Sequence, residues 1–157
     1  MTMNFDQSFE KLIVHEGLYS NNLKDPGGET KYGISKRAYP NEDIKALTLD
    51  DVRAIYRRDY WDRAQCDRLP PMLAFQVFDG AVNSGIGTSI RWLQSAAGVT
   101  QDGYVGPLTI RAVGDKDPDM MIARYNGARL QFMASLSTWD VFGRGWARRI
   151  AANLMGV

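Results

Sequence analysis

Glu16 is where the chemical reading of this chain begins. Phe5, Phe9, Leu12 and Ile13 are spaced by four, three and one, as on one face of an amphipathic helix. Glu16 continues that series three residues after Ile13, beside a helix end that Gly17 is expected to close. Burial and the negative end of the helix dipole both disfavour an ionised carboxylate, and a carboxyl that keeps its proton is what a general acid requires. Asp25-Pro26-Gly27-Gly28 then reads as a tight turn, with Pro fixing φ and Gly free to take a positive φ. Residues 29–34 read as a short extended segment that enters a helix near Ser35. A helix end followed by such a hairpin builds one wall of a cleft, with Asp25 and Thr30 facing Glu16. Taken singly, these are ordinary solvated or turn residues; together they point to a site.

The elements that must position this group are mostly helical. Thr48 caps a segment with Asp50 and Asp51 in its first turn, carrying Val52, Ile55, Tyr56, Tyr60 and Trp61. Pro70-Pro71 opens a helix that is apolar on most sides and is the candidate for the buried centre; Asn83-Ser84-Gly85 ends it. Short helices follow over 90–97, stopped by Gly98, and from Pro107. Two more run from Pro118 to about Leu136 and from Trp146 to Met155. On the central helix Gln76, Asp79 and Asn83 form a polar stripe, either an internal network or a sugar-contacting wall. Tyr19, Tyr32, Tyr60 and Trp61 offer flat faces on which sugar rings stack, or core packing.

Composition narrows the class. With 45% apolar and 24% charged residues and a formal net charge of +1, the chain is an ordinary globular protein with no polyanion signature, so no nucleic-acid partner is expected. From Arg124 onward five arginines (124, 129, 144, 148, 149) face one acid, Asp140. That surplus reads as a solvated helix face, or as a basic patch making transient contact with an anionic wall or membrane surface. A single histidine, His15, rules out a multi-histidine zinc site within the chain, and Cys66 alone forms no internal disulfide. Neither metal nor organic cofactor is expected. No apolar run approaches the ~18 residues of a membrane span. The N-terminus carries no signal-peptide pattern, so synthesis in a cytoplasm is expected.

The segment Glu16-Gly17-Leu18-Tyr19-Ser20-Asn21, followed by Asp25 through Ser35, resembles glycoside hydrolase family 108, N-acetylmuramidases of phages and bacteria. The match continues through Asp59-Tyr60-Trp61 and Phe78 to Gly85. Trp92-Leu93-Gln94, Asp102 to Thr109, and Phe142 to Trp146 resemble that family's peptidoglycan-binding region. Leu18 stands where the family more often has a second glycine.

The resemblance implies a mainly α, lysozyme-like α+β fold with a small β-hairpin beside the catalytic helix. It divides the chain into a catalytic region, 1–87, and a peptidoglycan-binding-like region, 88–157, packed as one unit. It carries the catalytic glutamate onto Glu16, with Asp25 and Thr30 as its partners by analogy with phage lysozymes. Glu29 is the alternative second carboxylate. Tyr19, Tyr32, Tyr60, Gln76 and Asn83 are the candidate substrate contacts. Peptidoglycan glycan strands are the expected partner of a monomer that reaches the periplasm by holin-type or other release, in lysis by a phage or prophage. Two rivals stay open: a lytic transglycosylase, which needs only one Glu, and a silent wall-binding or scaffolding module.

Overall fold

The computed structural model describes residues 3–24 and 26–156. Helix α1 (Phe5–Ile13) starts at Asn4 through a capping box: Gln7 N–H donates to the Asn4 side chain at 3.0 Å, and Asn4 N–H donates to that of Gln7 at 3.1 Å. Phe5, Phe9 and Leu12 are buried as their spacing predicts. The helix stops before Glu16, however. Glu16 N–H donates to Ile13 O in a turn that follows the last helical residue.

Three short strands follow, β1 (Ser20–Asn21), β2 (Glu29–Lys31) and β3 (Ile34–Ser35), antiparallel in that order. Thr30 sits in the central strand, opposite Ser20 on one side and Ser35 on the other. Tyr32 (φ 51°) and Gly33 (φ 82°) form the two-residue link from β2 to β3. Two consecutive left-handed residues match the twist of a tight hairpin, which strands joined by an ordinary turn would splay. The helix expected near Ser35 does not form. Tyr39 N–H reaches Ser35 O at 3.0 Å for one turn, and Pro40 then biases Tyr39 away from helical geometry.

Helix α2 (Leu49–Tyr56) carries the expected Thr48 cap, a full box with Asp51, and runs on as a π-turn over Arg57–Trp61. Then come α3 (Pro71–Ser84), α4 (Ile86–Ala97), α5 (Pro107–Gly114), α6 (Pro118–Ala134) and α7 (Trp139–Met155). Two helices start earlier than their sequence suggests: α4 at Ile86 rather than Ile90, and α7 at Trp139 rather than Trp146. In α7 Gly143 serves packing rather than helix breaking. A Cβ there would lie 2.5 Å from Trp139 Cε2, so the glycine admits the indole against the helix.

Residues Leu73 to Ala81 of α3 are buried without interruption, which makes α3 the centre of the molecule. It packs against α4 and α6, which also pack against each other, while α1 and the π-turn cover another side. Phe5 and Phe78 each meet Trp61 edge-on there, with ring centroids 5.5 and 5.4 Å apart, and lie tilted against each other at 5.9 Å. The core so formed is continuous from α1 to Ile150 of α7.

Candidate active site

A central helix buried on every side must satisfy its polar residues internally, and α3 does. Asp79 and Arg129 of α6 are both 0% exposed, and Arg129 Nη1 donates to Asp79 Oδ2 at 2.9 Å. Asn153 of α7 donates to the same oxygen at 2.8 Å. Arg149, one helical turn before Asn153, takes the other oxygen, with Nε at 3.0 Å and Nη2 at 2.9 Å. Burial by itself would raise the Asp79 carboxyl, but the guanidiniums of Arg129 and Arg149 outweigh it and hold the group below the usual carboxylate range. Burial likewise opposes the charge on Arg149, and Asp79 and then Glu16 override it, so this guanidinium is raised.

Arg149 links that anchor to Glu16. Its Nη2 also donates to Glu16 Oε1 at 3.2 Å, where the carboxylate is 17% exposed. The apolar surroundings expected for Glu16 are thus corrected: beyond the end of α1 it meets a guanidinium, not hydrocarbon. Its other oxygen faces the hairpin. A Cβ on Gly33 would lie 2.8 Å from Glu16 Oε2 and would collide with the Tyr56 hydroxyl, so only glycine lets the turn approach so closely. Two bonds fix the turn there: Tyr32 N–H donates to Gly17 O at 2.8 Å, and Tyr56 OH donates to Tyr32 O at 2.5 Å. Burial, and next the Glu16 carboxylate, push the Tyr56 phenol well above its usual range despite Arg149.

The other expected residues fall in different places. Asp25 lies outside the described residues. Thr30 is half-buried on β2, two residues before the turn that touches Glu16. Glu29 accepts a hydrogen bond from Tyr19 OH at 2.8 Å, which ties β2 to the segment before β1. Tyr60 is half-buried and stacks edge-on against Tyr56 at 5.6 Å. Trp61 is 1% exposed and belongs to the core, its Nε1 donating to Asp67 at 2.8 Å.

Gln76 as a sugar contact is a correction. It is fully buried, donates to Asn153 O at 3.3 Å and accepts from Asn126 at 3.2 Å, so no atom of it faces a cleft. Asn83 is half-buried and accepts from Arg129 Nη2 at 3.0 Å. The basic tail is corrected in the same way. Arg129 and Arg149 are spent on Asp79 and Glu16, which leaves Arg124, Arg144 and Arg148 exposed.

Sequence reasoning missed Arg149, Arg129, Asn153, Gly33 and Tyr56 as parts of the site. A signal existed for one of them: Arg129 falls on the same α6 face as the buried Met121, Ile122, Tyr125 and Met133, where an unpaired arginine is not tolerated.

A glutamate at the junction of the first helix and a small antiparallel sheet, over a buried central helix, defines a lysozyme-like α+β fold. Comparison with known proteins agrees. Residues 9–85 match the family model described as glycosyl hydrolase 108, and residues 88–151 match one described as a predicted peptidoglycan domain. The solved structure of SagA from Brucella abortus is 33% identical, with a TM-score of 0.87 over 95% of this chain and 90% of that one. No curated protein matches. The chain belongs to the glycosyl hydrolase 108 family and is a glycoside hydrolase directed at peptidoglycan. Among the described residues no helix is long and apolar enough to cross a membrane.

Proposed function

We propose that this enzyme is an N-acetylmuramidase, cutting the β-1,4 bond from N-acetylmuramic acid to N-acetylglucosamine, with Glu16 as its general acid. The observation that carries the reading is the clamping of Glu16 between two rigid neighbours. Arg149, anchored on Asp79, holds one oxygen, and the Tyr32–Gly33 turn lies against the other. A carboxyl fixed in this way is aimed before substrate arrives, which is where such catalysts gain most. Protonated Glu16 donates to the glycosidic oxygen as the bond breaks, and the carboxylate left behind is met by the guanidinium already in place.

Asp25 is the proposed second carboxylate, with the Thr30 hydroxyl helping to place a water on the opposite face of the sugar. That arrangement makes the reaction inverting and requires carboxyl groups roughly 6.5–9.5 Å apart. Tyr19, Tyr32, Tyr60 and Asn83 are the proposed sugar contacts, and residues 88–157 the part that grips the wall. A role in lysis by a phage or prophage rests on the family resemblance. Product analysis of digested peptidoglycan tests the reading: reducing N-acetylmuramic ends support it, while anhydro ends would place the enzyme with the lytic transglycosylases.

A further inference from the structure

A pocket of about 360 Å³ opens beside Arg149, on the side of α7 that carries Gly145, Arg148 and Arg149, with His15 from the turn before Glu16 as its other wall. Gly145 contributes no side chain, and a Cβ there would meet nothing within 4 Å, so the space is open. The wall is cationic beyond what the network neutralises. Glu16 and Asp79 balance Arg149 and Arg129, whereas Arg148 is exposed and has no acidic partner among the described residues. His15 adds a second hydrogen-bonding group. When Glu16 carries the proton that the first step requires, Asp79 alone faces both Arg129 and Arg149, and the wall gains a further net positive charge. A cavity with an arginine to spare, adjoining a carboxyl that works on a glycan, is built for an anion attached to that glycan.

We propose that His15, Arg148 and Arg149 form an anion subsite that holds a carboxylate carried by the muramic acid residue of the substrate. Two sources share this chemistry: the lactyl group when it is free, and the peptide stem when one is attached. The inference rests on the muramidase reading for its substrate, and it adds what that reading lacks, a reason to prefer muramic acid over a neutral N-acetylhexosamine.

The test is binding rather than turnover. The disaccharide N-acetylglucosaminyl-N-acetylmuramic acid with a peptide stem is a product of the proposed reaction and is not cut by it. Its affinity for the wild-type enzyme is measured by calorimetry beside the same molecule with all carboxylates converted to carboxamides. A charge-assisted contact at a partly exposed arginine should make amidation cost about tenfold in Kd. Arg148→Gln should bind both forms alike, and Arg148→Lys should keep the preference. The peptide-free disaccharide, with its lactyl carboxylate exposed, separates the sources: binding as tight as the stem-bearing form assigns the anion to lactate, and binding as weak as the amidated form assigns it to the stem. Equal affinity of wild type for charged and amidated ligands, or a preference that survives Arg148→Gln, would overturn the subsite. Failure of the muramidase reading shows separately, as anhydro ends or the wrong sugar at the ends of digested wall.

Discussion

Replacing Asp79 by asparagine tests the anchor on which the site is built. Its carboxylate accepts four donor contacts: Arg129 Nη1, Asn153 Nδ2, and Nε and Nη2 of Arg149, all at 2.8–3.0 Å. Asparagine keeps the shape but loses the charge, leaving Arg129 fully buried without a counter-ion. Breaking a buried pair in this way costs roughly 3–5 kcal/mol, because a desolvated charge is left uncompensated. For a chain of this size each kcal/mol moves the melting temperature by about 2–4 °C, so a drop of roughly 6–20 °C is expected. Thermal and urea unfolding of wild type, Asp79→Asn and Asp79→Asn/Arg129→Met measure it. If the orphaned guanidinium is the cause, the double variant recovers part of the loss.

The pH dependence carries its own sign. Folding lowers the Asp79 carboxyl, so its stabilisation is fully present above the unfolded value and fades as pH falls through the folded one. The gap between wild type and Asp79→Asn should therefore be constant near neutrality and narrow below about pH 4. A variant within about 1 kcal/mol of wild type at pH 7, or a gap that widens in acid, would refute the account of the buried network.

The hairpin gives two further tests. Gly33→Ala places a methyl against Glu16 and Tyr56 at a left-handed position; we expect a stability loss of about 1–2 kcal/mol and a fall in kcat of roughly tenfold to a hundredfold. Wall-clearing kinetics with circular dichroism as the fold control would reveal it, and unchanged kcat would show that the approach to Glu16 is incidental. Tyr56→Phe keeps the aromatic packing but removes the donor to Tyr32 O, with an expected cost of about 0.5–1.5 kcal/mol and faster hydrogen exchange at the Tyr32 amide. Exchange at that amide as slow as in wild type would mean that the phenol does not hold the turn.

Local signals made much of the fold legible in the sequence. Thr48, Pro71, Gly98, Pro107 and Pro118 mark helix ends through caps, fixed φ or left-handed backbone, and the structure places ends at or beside them. The early turns of α4 and α7 were hidden because Gly87, Gly143 and Gly145 resemble breakers, and tertiary packing overrides propensity there. Glu16 was visible from its spacing, yet its surroundings were not, since the helix ends three residues short of it. The polar stripe of α3 was visible as well, but its partners lie 46 to 77 residues away on α6 and α7. Arg149 looks like a member of a solvated basic face, and nothing local shows that it turns inward; Arg129 is betrayed only by its place on the apolar face of α6. Long-range ion pairing leaves no periodicity to read.

Digestion of purified peptidoglycan by wild type and Glu16→Gln, followed by mass analysis of the products, tests the central claim most directly. Glu16 as general acid predicts reducing N-acetylmuramic ends from wild type and none from the variant, with the variant's fold and wall binding intact. Normal lysis by Glu16→Gln would contradict it.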